Sequence, residues 1–146
     1  AKDIIAECRK LDAANIEYNF FYLTGISGSG NGLAGAEKTA EVFNKLNPKI
    51  VGASMLTVFP DSDLYGEIQA EKWCEESETE KLLEMKKLIE KLEIRTHFAA
   101  LGASNMFNLH GELPCEREEL TKQIDDILNV LSETELRSYR LNLEHL

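Results

Sequence analysis

Residues Tyr22–Lys38 read YLTGISGSGNGLAGAEK, with five glycines from Gly25 to Gly35. Upstream, Tyr18 to Thr24 is aromatic-rich and nearly uncharged, the composition of a strand buried on both faces. Downstream, Ala36, Ala40, Phe43 and Leu46 form a helical stripe that stops at Asn47-Pro48. The stretch is therefore a strand, a glycine loop and a helix in succession, and the same order continues outward. Residues 2–14 place Ile4, Ile5, Cys8 and Leu11 on one helical face. Ile50 to Phe59 is a second apolar strand, closed by the turn composition Pro60-Asp61-Ser62-Asp63.

The segment 64–76 has no clear period. Ser77-Glu78-Thr79-Glu80 is a capping box, followed by Leu82, Met85, Leu88, Ile89 and Leu92, which predicts a helix over 77–92. Thr96 to Leu101 is a short third strand, and an irregular Gly/Asn segment runs on to Leu113-Pro114. Leu120, Ile124, Ile127, Leu128 and Leu131 mark a fourth helix, and a second capping box, Ser132 to Glu135, opens a fifth. Alternating helices and strands predict an α/β fold of parallel strands, either doubly wound or a slice of a (β/α) TIM-like barrel. The division expected is barrel βα units over 1–93 and a C-terminal extension with helices over 94–146, within one domain.

Gly30-Asn31-Gly32-Leu33-Ala34-Gly35 matches the G-x-G-x-x-G of dinucleotide sites. A dinucleotide loop, however, starts almost directly after its strand, and here Gly25 to Ser29 intervene. It also needs an acid about 20 residues on for the ribose, where this chain has Ser54, Met55 and Leu56. No GxxxxGK[ST] is present. A strand-to-helix loop is the alternative.

The net charge of −10 disfavours nucleic acid, because the basic residues do not cluster beyond Lys86-Lys87. No apolar run approaches the roughly 18 residues of a membrane span. Three scattered cysteines, Cys8, Cys74 and Cys115, suit reduced thiols and a cytoplasmic location. The chain begins at Ala1, inside the first helix, with no initiator Met and no secretory signal, which reads as a piece of a longer protein.

FFYLTGISGSG, an alanine-rich helix with LNP, a strand ending TVFPDSDLY, LLEMKKLIEKLE and finally SNMFNLHGELP follow one another in an order that resembles the C-terminal half of radical SAM proteins. The similar group is the oxygen-independent coproporphyrinogen oxidase-like Fe-S oxidoreductases, and the likeness covers nearly the whole chain. It implies a partial (β/α) barrel whose N-terminal half binds a 4Fe-4S cluster through a CxxxCxxC motif. S-adenosylmethionine on that cluster is cleaved to a radical that abstracts hydrogen from a substrate. This chain has no such cysteine motif, so the resemblance implies no cluster on the segment alone.

By position, Leu23 and Gly25 match part of the family's G-x-I-x-G-x-x-E strand beneath the adenine, with Phe21 and Gly28 at its first glycine and its acid. Thr57 and Val58 take the place of the next strand's adenine contact. The family's Glu-His and His positions read Ala34-Gly35 and Gly102. That leaves a second reading, a non-catalytic interaction module derived from a barrel half, with dinucleotide binding as a third. A half barrel also exposes a parallel edge, Tyr18 to Thr24 or its outer neighbour, that invites pairing with another chain, so a homo-oligomer is expected of the segment alone. The substrate expected is an unspecified small molecule.

Other residues carry weaker signals. His97 and His110, with Asn105 and Asn108 between them, offer a ligand or proton-transfer site, or surface and capping roles. Glu75, Glu76, Glu78 and Glu80 suggest a cation site, or the solvated start of a helix. Cys115 stands at an expected helix N-terminus, where a thiol pKa falls, and Trp73-Cys74 reads as a core plug.

Overall fold

The computed structural model describes residues 2–143. Residues 144–146 of the expected C-terminal extension lie outside the described residues. In order, the elements are α1 (Lys2–Ala13), β1 (Asn19–Thr24), α2 (Gly32–Phe43), β2 (Ile50–Met55), α3 (Asp63–Gln69) and α4 (Glu78–Lys91). They are followed by β3 (Thr96–Ala100), β4 (Leu109–Leu113), α5 (Arg117–Val130) and α6 (Glu133–Leu141). The strands form one open sheet in the order β1-β2-β3-β4. β1, β2 and β3 are parallel, with Phe20 opposite Val51 and Val51 opposite Phe98, whereas β4 returns antiparallel to β3.

The alternation of side chains along each strand sorts them into two faces. Tyr22, Val51, Ala53, Met55, Phe98, Ala100, Leu109 and Leu113 point to the side where α2, α4 and α5 pack, and form the core with Leu82, Leu88, Ile89, Leu120 and Ile124. Complete burial of each such aliphatic side chain is worth about 1.5–3 kcal/mol. Both predicted capping boxes form, Ser77 with Glu80 and Ser132 with Glu135, each worth about 1 kcal/mol.

Four differences from the sequence expectations have physical causes. β1 is not buried on both faces: Phe21 is 81% exposed and Leu23 half-exposed, on the side away from the helices. Phe21 lies across Gly52 of β2, where a Cβ would come within 2.8 Å of its ring, so an absent side chain on one strand accommodates an aromatic on the next. The second strand ends at Met55, and residues 56–59 leave the sheet. The aperiodic segment holds α3, too short to show a period, capped by the Ser62 hydroxyl accepting from the Tyr65 amide. The irregular segment before Pro114 contains β4, whose LHGEL alternates buried and exposed residues.

Asn105 replaces a strand where β3 stops pairing with β2. Its Oδ1 accepts from the Met55 amide at 3.1 Å and its Nδ2 donates to the Ala53 carbonyl at 2.9 Å. The side chain thereby continues the ladder past Gly52 and Ala99, satisfying backbone groups that burial would otherwise leave unpaired.

Candidate functional site at the carboxyl ends of the parallel strands

The glycine loop sits at the carboxyl end of β1, and several of its backbone donors are already engaged. Gly25, Gly28 and Gly30 have φ values of +91°, +79° and +80°, a left-handed conformation that glycine adopts at little steric cost. The Gly25 amide donates to Glu84 Oε2 at 2.6 Å, and the Gly30 amide and Ser29 hydroxyl donate to Glu80 Oε1 at 3.0 and 2.9 Å. The Ser29 amide donates to the Cys74 carbonyl at 2.9 Å. Such runs of amides are anion receptors, and here the anions are the chain's own carboxylates from α4. Hydrogen bonds from the Ser77 amide, then from Ser29 and Gly30, hold the Glu80 carboxyl below the usual range. The amides of Gly32, Leu33 and Ala34 at the start of α2 take no partner among the described residues, so what argues against a pyrophosphate here is the acidic surroundings of the loop.

Trp73 is a correction of the same kind. It is half-buried and its indole covers Gly28, where a Cβ would lie 2.8 Å from Nε1, so it braces the loop and does not plug the core.

The acidic start of α4 is not a solvated helix end either. Glu78 and Lys81 are fully buried, Arg140 is 4% exposed and Glu75 is half-buried. Lys81 Nζ bonds Glu75 at 2.8 Å, Glu78 at 3.2 Å and the Leu56 carbonyl at 3.0 Å. Arg140 Nε bonds Glu78 at 2.6 Å, and its Nη1 donates to Thr57 Oγ1 and to the Ser104 carbonyl, both at 3.0 Å. Arg137 bridges Glu75 and Glu78. Burial pushes the Glu75 carboxyl up, but the hydrogen bonds from Arg137 and Lys81 prevail and hold it below its ordinary value. The acids Glu75 and Glu78 meet Arg137 and Arg140, 59 to 62 residues on in sequence, in one network joining α4, α6 and the exit of β2. The fixed spacing Glu78-x-x-Lys81 was the signal for half of it, while Arg137 and Arg140 gave none.

Of the predicted site residues, Leu23 and Gly25 stand at the exit of β1, and Thr57 and Val58 follow the end of β2 beside it. The Leu56 amide donates to the Thr24 carbonyl at 2.9 Å, which holds the two strand exits side by side. Gly25 acts through its backbone turn, its amide being taken by Glu84. The Thr57 hydroxyl is held by Arg140. Leu23 stays half-exposed on the open face, and the backbone groups of Thr57 and Val58 take no partner among the described residues. His97 and His110 are at neighbouring positions on the exposed face of β3 and β4, ring centroids 6.0 Å apart, with His97 Nδ1 2.8 Å from Glu112. They are away from the strand exits, since His97 is level with Ile50 at the start of β2.

Cys8 is buried on α1, and Cys74 and Cys115 are exposed singly. Among the described residues no three His, Cys, Asp or Glu side chains are grouped as metal ligands. Among the described residues no helix is long and apolar enough to cross a membrane.

The most unusual group takes Glu76 and Glu80 from the acidic cluster that the sequence offered and adds Glu84, which it did not. Glu76, Glu80 and Glu84 recur every fourth residue, and Glu76 is 2% exposed with neither carboxylate oxygen hydrogen-bonded among the described residues. Burial, and then the Glu84 charge beside it, raise its carboxyl to about 8. Glu84 accepts from the Tyr22 hydroxyl, and burial together with that carboxylate pushes the Tyr22 phenol well above its ordinary range. Comparison with known protein families, curated proteins and solved structures finds no match for the chain.

Proposed function

We propose that the chain is the C-terminal part of a radical S-adenosylmethionine oxidoreductase, supplying barrel strands and one wall of the cofactor and substrate pocket. The observation that carries the reading is that Thr57 and Val58, whose backbone groups take no partner among the described residues, follow β2 at an exit adjacent to that of β1, where Leu23 is half-exposed. Adenine offers an apolar face and a hydrogen-bonding edge, and that combination suits both. Support also comes from topology. Strands in sequence order with α2 and α4 on one face are how a (β/α) barrel is wound, whereas a doubly wound sheet carries helices on both faces. Ser54, opposite Leu23, leaves the open face shallow near the exits.

Leu23 and Val58 would hold the adenosine moiety, which when bound supplies a carbon-centred radical for hydrogen abstraction. The cluster would come from residues outside this chain. The full-length product purified anaerobically should contain about four irons and bind S-adenosylmethionine. Leu23→Asp and Val58→Asp should each weaken that binding at least tenfold with iron content unchanged. A product with neither iron nor affinity for the cofactor overturns the reading.

A second reading, an interaction module, is favoured by the position of β1. It is an edge strand carrying the exposed Phe21, and unpaired parallel edges recruit other chains. On this reading the segment self-associates through β1, and light scattering at tens of micromolar should report dimers or larger species that Phe21→Lys reduces. A monomer at those concentrations counts against it.

A further inference from the structure

We propose that the cavity between the glycine loop and α4 binds a compact monovalent cation, potassium or ammonium, against the Glu76 carboxylate. The cavity is about 80 Å³ and is lined by Gly30, Gly32, Leu33, Glu76, Glu80 and Leu83. A water takes roughly 30 Å³ of liquid volume, so the space suits one ion with one or two waters. A nucleotide does not fit. Glu76 and Glu80 also face an open cleft of about 830 Å³ bounded by Arg137 and Glu133, which gives an ion a way in.

Charge decides the sign of the ligand. The titratable groups facing Glu76 are Glu80, Glu84 and Lys81 from α4 and Tyr22 from β1. Glu80 and Glu84 are compensated by loop amides and hydroxyls, as described above, and Lys81 is committed to Glu75 and Glu78. Glu76 is buried with no donor to either oxygen and with the Glu84 carboxyl beside it, a state that two ionised carboxylates sustain only with a counter-charge. Gly32 keeps this arrangement open, because a Cβ there would lie 2.4 Å from Glu76 Oε1. A divalent ion is the poorer candidate: it takes more carboxylate ligands, or holds them in stricter geometry, than one bare glutamate offers.

The test is thermal unfolding at pH 8.5 in choline chloride, with potassium or ammonium chloride exchanged in at constant ionic strength. Choline is too bulky for the cavity. The expected result is a saturable rise in Tm, roughly 5–10 °C at a hundred times the half-saturating concentration. Comparison of the two salts identifies the ion. In E76Q, an isosteric change that keeps the side chain in place, the rise should vanish, and in Glu80→Gln the half-saturating concentration should increase severalfold. An identical Tm in potassium, ammonium and choline overturns the proposal and leaves Glu76 and Glu84 sharing a proton. A rise that survives in E76Q overturns it as well, since the ion then sits elsewhere. The wild-type titration reads the first of these outcomes without any variant.

Discussion

Glu78→Ala should lower stability by roughly 3–5 kcal/mol, a fall in Tm on the order of 10–15 °C for a chain of this size. Its carboxylate is fully buried and receives Lys81, Arg137 and Arg140 together. Removing it takes from buried Arg140 the carboxylate it bonds and leaves buried Lys81 to share Glu75 with Arg137. The triple replacement Glu78→Met, Lys81→Met and Arg140→Met should recover most of the loss, because the expensive state is an unpaired buried charge and not the absence of a pair. Denaturant unfolding of the single and triple variants measures both. A loss of less than about 1 kcal/mol in the single variant would mean that water reaches the network, and a triple variant no better than the single would mean that the ion pairs themselves stabilise the fold.

That network shows where the sequence was legible and where it was not. Periodicity and caps located α1, α2, α4, α5 and the start of α6, since each signal is contained within a few neighbouring residues. The core follows from the same patterns: Leu82, Met85, Leu88 and Ile89 are all buried as their spacing requires. The glycine loop was legible as a strand-to-helix connection, but its role was not. Whether its amides meet a phosphate or a carboxylate depends on Glu80 and Glu84, about 50 and 59 residues away in the chain. Likewise nothing local distinguishes Glu78, which is buried, from Glu90, which is not fully so. Both lie in an acidic amphipathic helix, and only the arrival of α6 with Arg140 makes one of them interior. β4 was missed because its five residues are interrupted by Gly111, and its pairing with β3 supplies the regularity that the sequence lacks.

Glu76 should make the fold lose stability as the solution becomes more alkaline, opposite to the usual behaviour of a buried glutamate in an ion pair. Its carboxyl is raised from 4.5 to about 8, by burial first and by the Glu84 charge second. Between those two values the folded chain holds a proton that the unfolded chain has released. Stability therefore falls with rising pH across that window and levels off above it, once both states are ionised. Discounted for screening by nearby solvent, the loss is roughly 2–3 kcal/mol. E76Q cannot titrate, so the measurable quantity is the stability difference between wild type and E76Q in choline buffer. That difference should be small at pH 4.5 and should grow by roughly 2–3 kcal/mol in favour of E76Q by pH 8.5. Glu75 works in the opposite sense, its lowered carboxyl adding stability that is lost as pH falls through the acid range, so wild type alone should show a maximum at mildly acidic pH. A difference between the two proteins that stays flat from pH 4.5 to 8.5 would show that Glu76 ionises at an ordinary pH, with its carboxylate reached by solvent.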